Sequence, residues 1–362
     1  MQKSDGGGRG ERGIGLILCL TQSARRRGER KQQKKGEMKM SRSQYNSSKT
    51  RVCPAFRVIK ENPEPFFNLL HDKLGLRIDG LNMGKGDVTI EFADSENGEK
   101  EYPLNPNPMY LKWLLYNPDQ TLIGDKLKKK KARGEKLSDS DKMRLGLLKD
   151  SKLREEGLNK IHDVAKEILE EEKYYGKDWF VLEGCSMPDV FIETNKFYMI
   201  VEGKRRETGP KIGTTWYKHR HQMVRHLEGL VCYKHAKIHR EGTKANKPTY
   251  GIFIVDGCIV RKYKLERYIE DAPFRESLPH LIDDEFMREI NVANSKEIYD
   301  EIKKSFLWCR QTHNPGFVTW RQIYDRYAER SEKEIEYLKS TNPDVSYDSG
   351  EYEREEPRFE EM

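Results

Sequence analysis

The sequence predicts an α/β core, a mixed sheet flanked by helices, over residues 151–265 in the order α-β-β-β-α-β. Three observations carry that prediction. "KLREEGLNKIHDVAKEILEEEKYY" at 152–175 places Leu158, Ile161, Ala165 and Ile168/Leu169 on one stripe at helical spacing. Three strand candidates follow, "DWFVLE" at 178–183, "DVFIE" at 189–193 and "FYMIVEGK" at 197–204. A second amphipathic helix, from about Thr215 to Tyr233 with Trp216, Met223, Leu227 and Leu230 as its apolar face, then leads to "YGIFIVDG" at 250–257. That last run is continuously apolar and bounded by turn residues, as expected of a strand buried on both faces.

Around this core lie four other stretches. Residues 1–50 read as a basic, disordered leader; its "IGLILCL" at 14–20 is too short to span a bilayer, and the following "RRRGERKQQKK" makes a poor mature start after a signal peptide. A working start at Met38 or Met40 fits this reading. Residues 51–150 form an α+β accessory region: "PEPFFNLLHDKLGL" is helical after its prolines, "DVTIEFADSENGEKEYPL" alternates around an Asn-Gly turn like a hairpin, and "MYLKWLLY" gives a short helix. Residues 266–340 read as a charged helical extension, and 341–362 as an acidic disordered tail.

The chain has 362 residues, 35% hydrophobic and 35% charged, with a formal net charge of +7. The charge is polarised: residues 1–40 carry eleven Lys/Arg against four Asp/Glu, and residues 342–362 two against eight. The basic balance of the rest suits a polyanion partner. The six cysteines are scattered with no CxxC pair, which argues against a disulfide framework or zinc ribbon and fits a reducing, intracellular setting. No GxSxG, Walker-type loop, HExxH or dinucleotide fingerprint is present.

"MPDVFIETNKFYMIVEGKRRE" at 187–207 ends both of its strands with charge, which buried strands tolerate only with a partner. A two-residue turn at Thr194-Asn195 pairs Ile192 with Phe197 and sets Asp189 opposite Ile200. Side chains alternate along a strand, so Asp189 then shares a face with Ile200, Glu202 and Lys204, while Phe197, Met199 and Val201 occupy the other. Two carboxylates converging there would hold a hard divalent ion, Mg²⁺ with Mn²⁺ able to substitute, and Lys204 beside it could serve an attacking water. The duller reading is a structural ion pair at a sheet end.

Pro188-Asp189, twelve residues, then Glu202-Gly203-Lys204 resembles the motif of the PD-(D/E)xK nuclease superfamily, and the core order resembles its restriction-endonuclease-like fold. The resemblance covers about 105 residues and implies metal binding by Asp189, Glu202 and the Gly203 carbonyl, with Lys204 serving the nucleophile. Many members add a Glu from the first helix, here assigned to Glu155. Some carry a Gln followed four residues later by Tyr; Gln222 matches the first half and His226 departs from the second.

Beside this motif, "KRRETGPKIGTTWYKHRHQ" at 204–222 reads as a nucleic-acid channel wall, with Arg205, Arg206, Lys211, Lys218 and Arg220 as contacts. "KLKKKKAR" at 126–133 is either a phosphate-backbone contact or a solvated helix face. His219, His221, His226, His235 and His239 read as surface or DNA-facing rather than zinc-binding. The expectation is a Mg²⁺-dependent DNA endonuclease, intracellular, soluble and DNA-associated, with no membrane partner and acting as a homodimer or within a larger nucleoprotein complex. The alternatives are a catalytically inactive DNA-binding or assembly module of the same fold, and a scaffold that binds proteins through its charged tails.

Overall fold

The computed structural model describes residues 52–84, 86–94, 97–117, 122–147, 150–171, 183–204, 214, 217–242, 247–255, 277–282, 295–311 and 317–328. Its helices are α1 (Cys53–Glu61), α2 (Glu64–Leu74), α3 (Pro108–Tyr116), α4 (Leu122–Ala132), α5 (Asp139–Leu147), α6 (Ser151–Glu170), α7 (Gln222–Glu241), α8 (Ser295–Gln311) and α9 (Trp320–Ala328). Its strands are β1 (Thr89–Phe92), β2 (Val190–Glu193), β3 (Tyr198–Gly203), β4 (Thr249–Val255) and β5 (Phe317–Thr319). They form one five-stranded mixed sheet in the order β1-β2-β3-β4-β5, antiparallel from β1 to β3 and parallel from β3 to β5.

The expected α/β architecture is present, with one difference in which segment supplies the strand beside β2. That strand is β1, from the stretch read as the accessory region, and it pairs Phe92 with Val190 and Thr89 with Glu193. The candidate at 178–183 lies outside the described residues except for Glu183, which is not in a strand. The Asn-Gly hairpin reduces to a single Asp94–Glu99 bridge. Its acid is taken by other partners: Asp94 Oδ2 accepts from Arg57 Nε at 2.5 Å and from Asn97 Nδ2 at 2.8 Å. β5 adds an edge that its three residues, "FVT", are too few to announce. The sheet therefore draws on all three stretches that the sequence separates at 150 and 265.

Both faces of the sheet are covered. Val190, Ile192, Met199, Val201, Ile252 and Ile254 pack with Phe56, Phe66 and Phe67 of α1 and α2 and with Trp320 and Ile323 of α9. Phe191, Tyr198, Ile200, Phe253 and Val255 pack with Met223, Leu227 and Leu230 of α7 and Ile298 and Ile302 of α8. This division explains why β3, "YMIVEG", is buried at every position. A satellite core joins α3, α4, α5 and α6 through Leu111, Leu114, Leu127, Leu147 and Ile161, and includes Tyr217.

α2 ends where Gly75 adopts φ 67°, a left-handed cap whose N–H bonds back to His71 O. α7 begins at Gln222, later than the expected Thr215, and runs to Glu241. Residues 217–220 before it are not helical.

Candidate active site

The β2–β3 hairpin sets the site. Its ladder pairs Ile192 with Met199 and Val190 with Val201, a register two residues from the expected one. The turn is centred on Asn195-Lys196 because Thr194 closes it: Thr194 Oγ1 accepts from Lys196 N at 3.1 Å and Phe197 N at 3.0 Å. A shift of two preserves parity. One step beyond the Val190–Val201 pair the ladder reaches Asp189 and Glu202, which thus lie across from one another rather than diagonally.

Both acids are buried, Asp189 to 8% exposure and Glu202 to 3%. Asp189 Oδ2 accepts from Gly203 N at 2.8 Å, so its carboxyl closes the end of β3. Glu202 Oε1 accepts from Lys204 Nζ at 2.6 Å and from Gln222 Nε2 at 2.7 Å, and Gln222 Oε1 accepts from Lys204 Nζ at 3.1 Å. Glu202, Lys204 and Gln222 are thus a closed triangle of hydrogen bonds.

The backbone under Lys204 is fixed from two sides. Its N–H donates to Ile254 O at 2.7 Å, and its carbonyl accepts from Trp320 Nε1 at 3.0 Å. The glycine before it is required by packing: a Cβ at 203 would lie 2.4 Å from Val52 Cγ2 and 2.9 Å from Trp320 Cζ2.

α7 brings Gln222 and His226 to the same place because residues four apart share a helix face. His226 Nε2 lies 3.4 Å from Glu202 Oε2, a buried oxygen with no closer hydrogen-bond donor among the described residues. Burial pushes the Glu202 carboxyl up, but His226 and Lys204 outweigh it and leave the group below its ordinary value. Burial holds the His226 imidazole down despite the adjacent carboxylate. His221, which caps α7, is pushed down to about 3 by burial and by the nearby His226 and Lys204. Glu101, half-buried, has its carboxyl raised by burial and by the charge of Glu202.

The structure thus brings Asp189, Glu202, Lys204 and Gln222 together and separates other predicted residues from them. Glu155 is exposed on α6; the carboxyl whose titration Glu202 affects is Glu101. Arg220 is 1% exposed and is not available to a nucleic acid. It pairs with Glu228, donates to Ser277 O at 3.1 Å, and lies over the Tyr110 ring at 3.9 Å. Lys218 is exposed, as expected of a contact residue, whereas Arg205, Arg206 and Lys211 lie outside the described residues.

The histidine reading also needs correction. His221 and His226 are buried at the site, and only His239 of the five is exposed. The signal for His226 was its spacing from Gln222. No comparable signal marks Glu101, whose approach depends on a segment crossing from the β1 side, where Tyr102 stacks on Phe191 at 4.1 Å.

Next to the site lies a second buried polar cluster. Glu228 accepts from Asn107 Nδ2 at 2.8 Å and pairs with Arg220 and His280. Glu183 pairs with Arg225, whose Nη2 also donates to Cys185 O at 3.0 Å. Arg220, with the other partners, holds Glu228 at about 2 against the upward push of burial.

Among the described residues no three Asp, Glu, His or Cys side chains converge as a metal cage. The donors that fit a hard cation are the carboxyls of Asp189 and Glu202, with Glu202 Oε2 as the oxygen left outside the Lys204–Gln222 triangle. Two carboxylates with water completing the shell is a set that Mg²⁺ accepts. No helix among the described residues is long and apolar enough to cross a membrane. In comparisons with known proteins, no family model, no curated protein and no solved structure matches this chain.

Proposed function

We propose that this chain is a metal-dependent DNA endonuclease that hydrolyses phosphodiester bonds at Asp189, Glu202, Lys204 and Gln222. The observation that carries the reading is that Asp189 and Glu202 are across from one another at the end of β3, with Lys204 Nζ 2.6 Å from Glu202. Two buried carboxyl groups across from one another repel, and a divalent cation held between them would relieve that cost. A bound Mg²⁺ or Mn²⁺ would be held by Asp189 and Glu202 and would supply Lewis acidity toward the phosphate and a more acidic water.

The remaining chemistry belongs to the chain itself. Lys204 Nζ presents a positive charge where phosphate charge develops. Gln222 accepts from that ammonium and donates to Glu202, so it fixes both groups in one geometry. His226 stands against the far oxygen of Glu202 and fixes the rotation of the carboxylate. The start of α7 beside this cluster adds the positive end of a helix, which favours an anion there. The resemblance of Pro188-Asp189…Glu202-Gly203-Lys204 to the PD-(D/E)xK motif supports the same assignment, including the restriction-endonuclease-like form of the core.

A second reading has its own observation. Glu202 Oε1 is fully taken by Lys204 and Gln222, and Asp189 by the Gly203 N–H. A site closed by its own hydrogen bonds suits an inactive DNA-binding or assembly module of the same fold.

Plasmid nicking separates the two. The endonuclease nicks in Mg²⁺ or Mn²⁺, stops in EDTA, and loses at least about 100-fold in rate on Asp189→Ala or Lys204→Ala. DNA retention without cleavage under every metal condition gives the place to the inactive module.

A further inference from the structure

We infer that α4 and the turn after it, residues 126–136, form a docking ridge for the phosphate backbone of duplex nucleic acid, an inference that rests on the DNA-directed reading above. Residues 126–136 hold seven Lys/Arg against one acid, and within α4 itself five lysines stand against Asp125 alone. Lys126, Lys128, Lys129 and Lys131 are exposed, as are Arg133 and Lys136 beyond them.

Two of these cations are matched: Lys130 Nζ lies 3.0 Å from Asp141, and Arg133 Nε 2.9 Å from Glu135. Among the described residues no carboxylate pairs with Lys126, Lys128, Lys129 or Lys131. The spacing makes the helix repel itself, since Lys126/Lys130 stand four apart and Lys126/Lys129 and Lys128/Lys131 three apart. A solvated helix face usually interleaves acids and bases; this one carries five lysines against one acid, a surplus that a polyanion would relieve.

The partner follows from charge density and from what the helix hides. Residues 126 to 131 span roughly 7.5 Å of helix axis. Over that length a DNA duplex presents about four phosphate charges, matched in number by the four exposed lysines of this run. Leu127, the apolar side chain in this run, is 3% exposed and packs in the satellite core with Leu114 and Ile161. Between 126 and 131 no apolar side chain is left outside for insertion into a lipid surface, which distinguishes this run from a membrane-binding amphipathic face.

The satellite core also ties the ridge to the site. Tyr217 lies in it, with its ring 5.0 Å from Trp113, and the chain proceeds through exposed Lys218 to Gln222, which holds Glu202.

The test is equilibrium binding of the full chain to a short fluorescein-labelled duplex in EDTA, followed by anisotropy over a range of salt. The comparison is between wild type, a Lys126→Gln/Lys128→Gln/Lys129→Gln/Lys131→Gln variant, and the corresponding Lys→Arg variant. The glutamine variant loses at least about tenfold in affinity near 0.1 M salt, and its log–log salt slope shrinks by about 3. The arginine variant keeps both, which removes misfolding as an explanation.

Equal affinity and slope in wild type and the glutamine variant overturn the ridge. So does lysine-dependent binding to phosphatidylserine vesicles without binding to the duplex. Lysine-dependent DNA binding by a chain that never cleaves sinks the nuclease reading and leaves the ridge standing. Cleavage with binding indifferent to these lysines does the reverse.

Discussion

Two buried charge clusters lie within a few residues of each other along α7, and they are built on different principles. Around Glu228 and Glu183, two carboxylates are matched by two guanidiniums, with His280 and Asn107 completing the coordination of Glu228. At the end of β3, Asp189 and Glu202 lie across from one another, with the Lys204 ammonium on Glu202 Oε1 and His226 3.4 Å from Glu202 Oε2. The first cluster is charge-matched and pins the loop at 183–185 and the turn at Pro279–Ile282 to the start of α7. The second sets two carboxyls across from one another.

The sharpest break of this comparison is Asp189→Asn. On the endonuclease proposal this change removes one of the two facing charges while keeping an acceptor for Gly203 N, so cleavage is expected to fall by about 100- to 1,000-fold while the urea midpoint holds or rises. A parallel loss of stability would place Asp189 with the scaffold instead.

Glu228→Ala should do the opposite. It leaves Arg220 buried without its carboxylate, and urea unfolding is expected to register a loss of about 3–5 kcal/mol. If the change proves neutral, the matched cluster is not what fixes α7.

Metal addition probes the same contrast from the ligand side. If Asp189 and Glu202 hold the ion as proposed, Mn²⁺ at about 100 times its Kd is expected to stabilise the wild-type fold by about 2.7 kcal/mol. Thermal melts of Asp189→Asn should show none of that gain, and those of an Arg225→Lys variant, altered only in the other cluster, should show all of it.

The smallest effect is that of mild acid. His221, held at about 3, and His280, held down chiefly by burial, stay neutral in the folded chain at pH values where the unfolded chain protonates them. The unfolded state then binds more protons, so stability is full above about pH 6.5 and declines as pH falls toward 3. His221 alone accounts for up to about 2 kcal/mol at pH 5. Glu228 adds a further loss between about pH 4.5 and 2. Melting temperatures that are flat from pH 7.5 to 5 would contradict the buried placement of these imidazoles.

Much of the site was legible because alternation along a strand is a local property. Asp189, Glu202 and Lys204 share one side in any hairpin with an even register, so the error of two residues in the turn did not change the face. Gln222 was legible through the resemblance; that it opens its helix was not, since the helix was expected from about Thr215. Arg220 was misread because a count of cations carries no depth: only the docking of Pro108–Tyr116 and Pro279–Ile282 over α7 shows that this guanidinium lies against Tyr110 and Glu228 rather than in water.

Near neighbours along the chain set the period of each element, the side on which the two acids emerge and the concentration of lysines in Leu122–Ala132. Tertiary structure alone decided that Thr89–Phe92 completes the sheet, that Glu101 approaches Glu202 while Glu155 remains in solvent, and that Trp320 closes over Lys204. Each of these joins segments tens to more than a hundred residues apart. Such contacts are settled by which apolar faces find room against one another, and no local pattern encodes that choice.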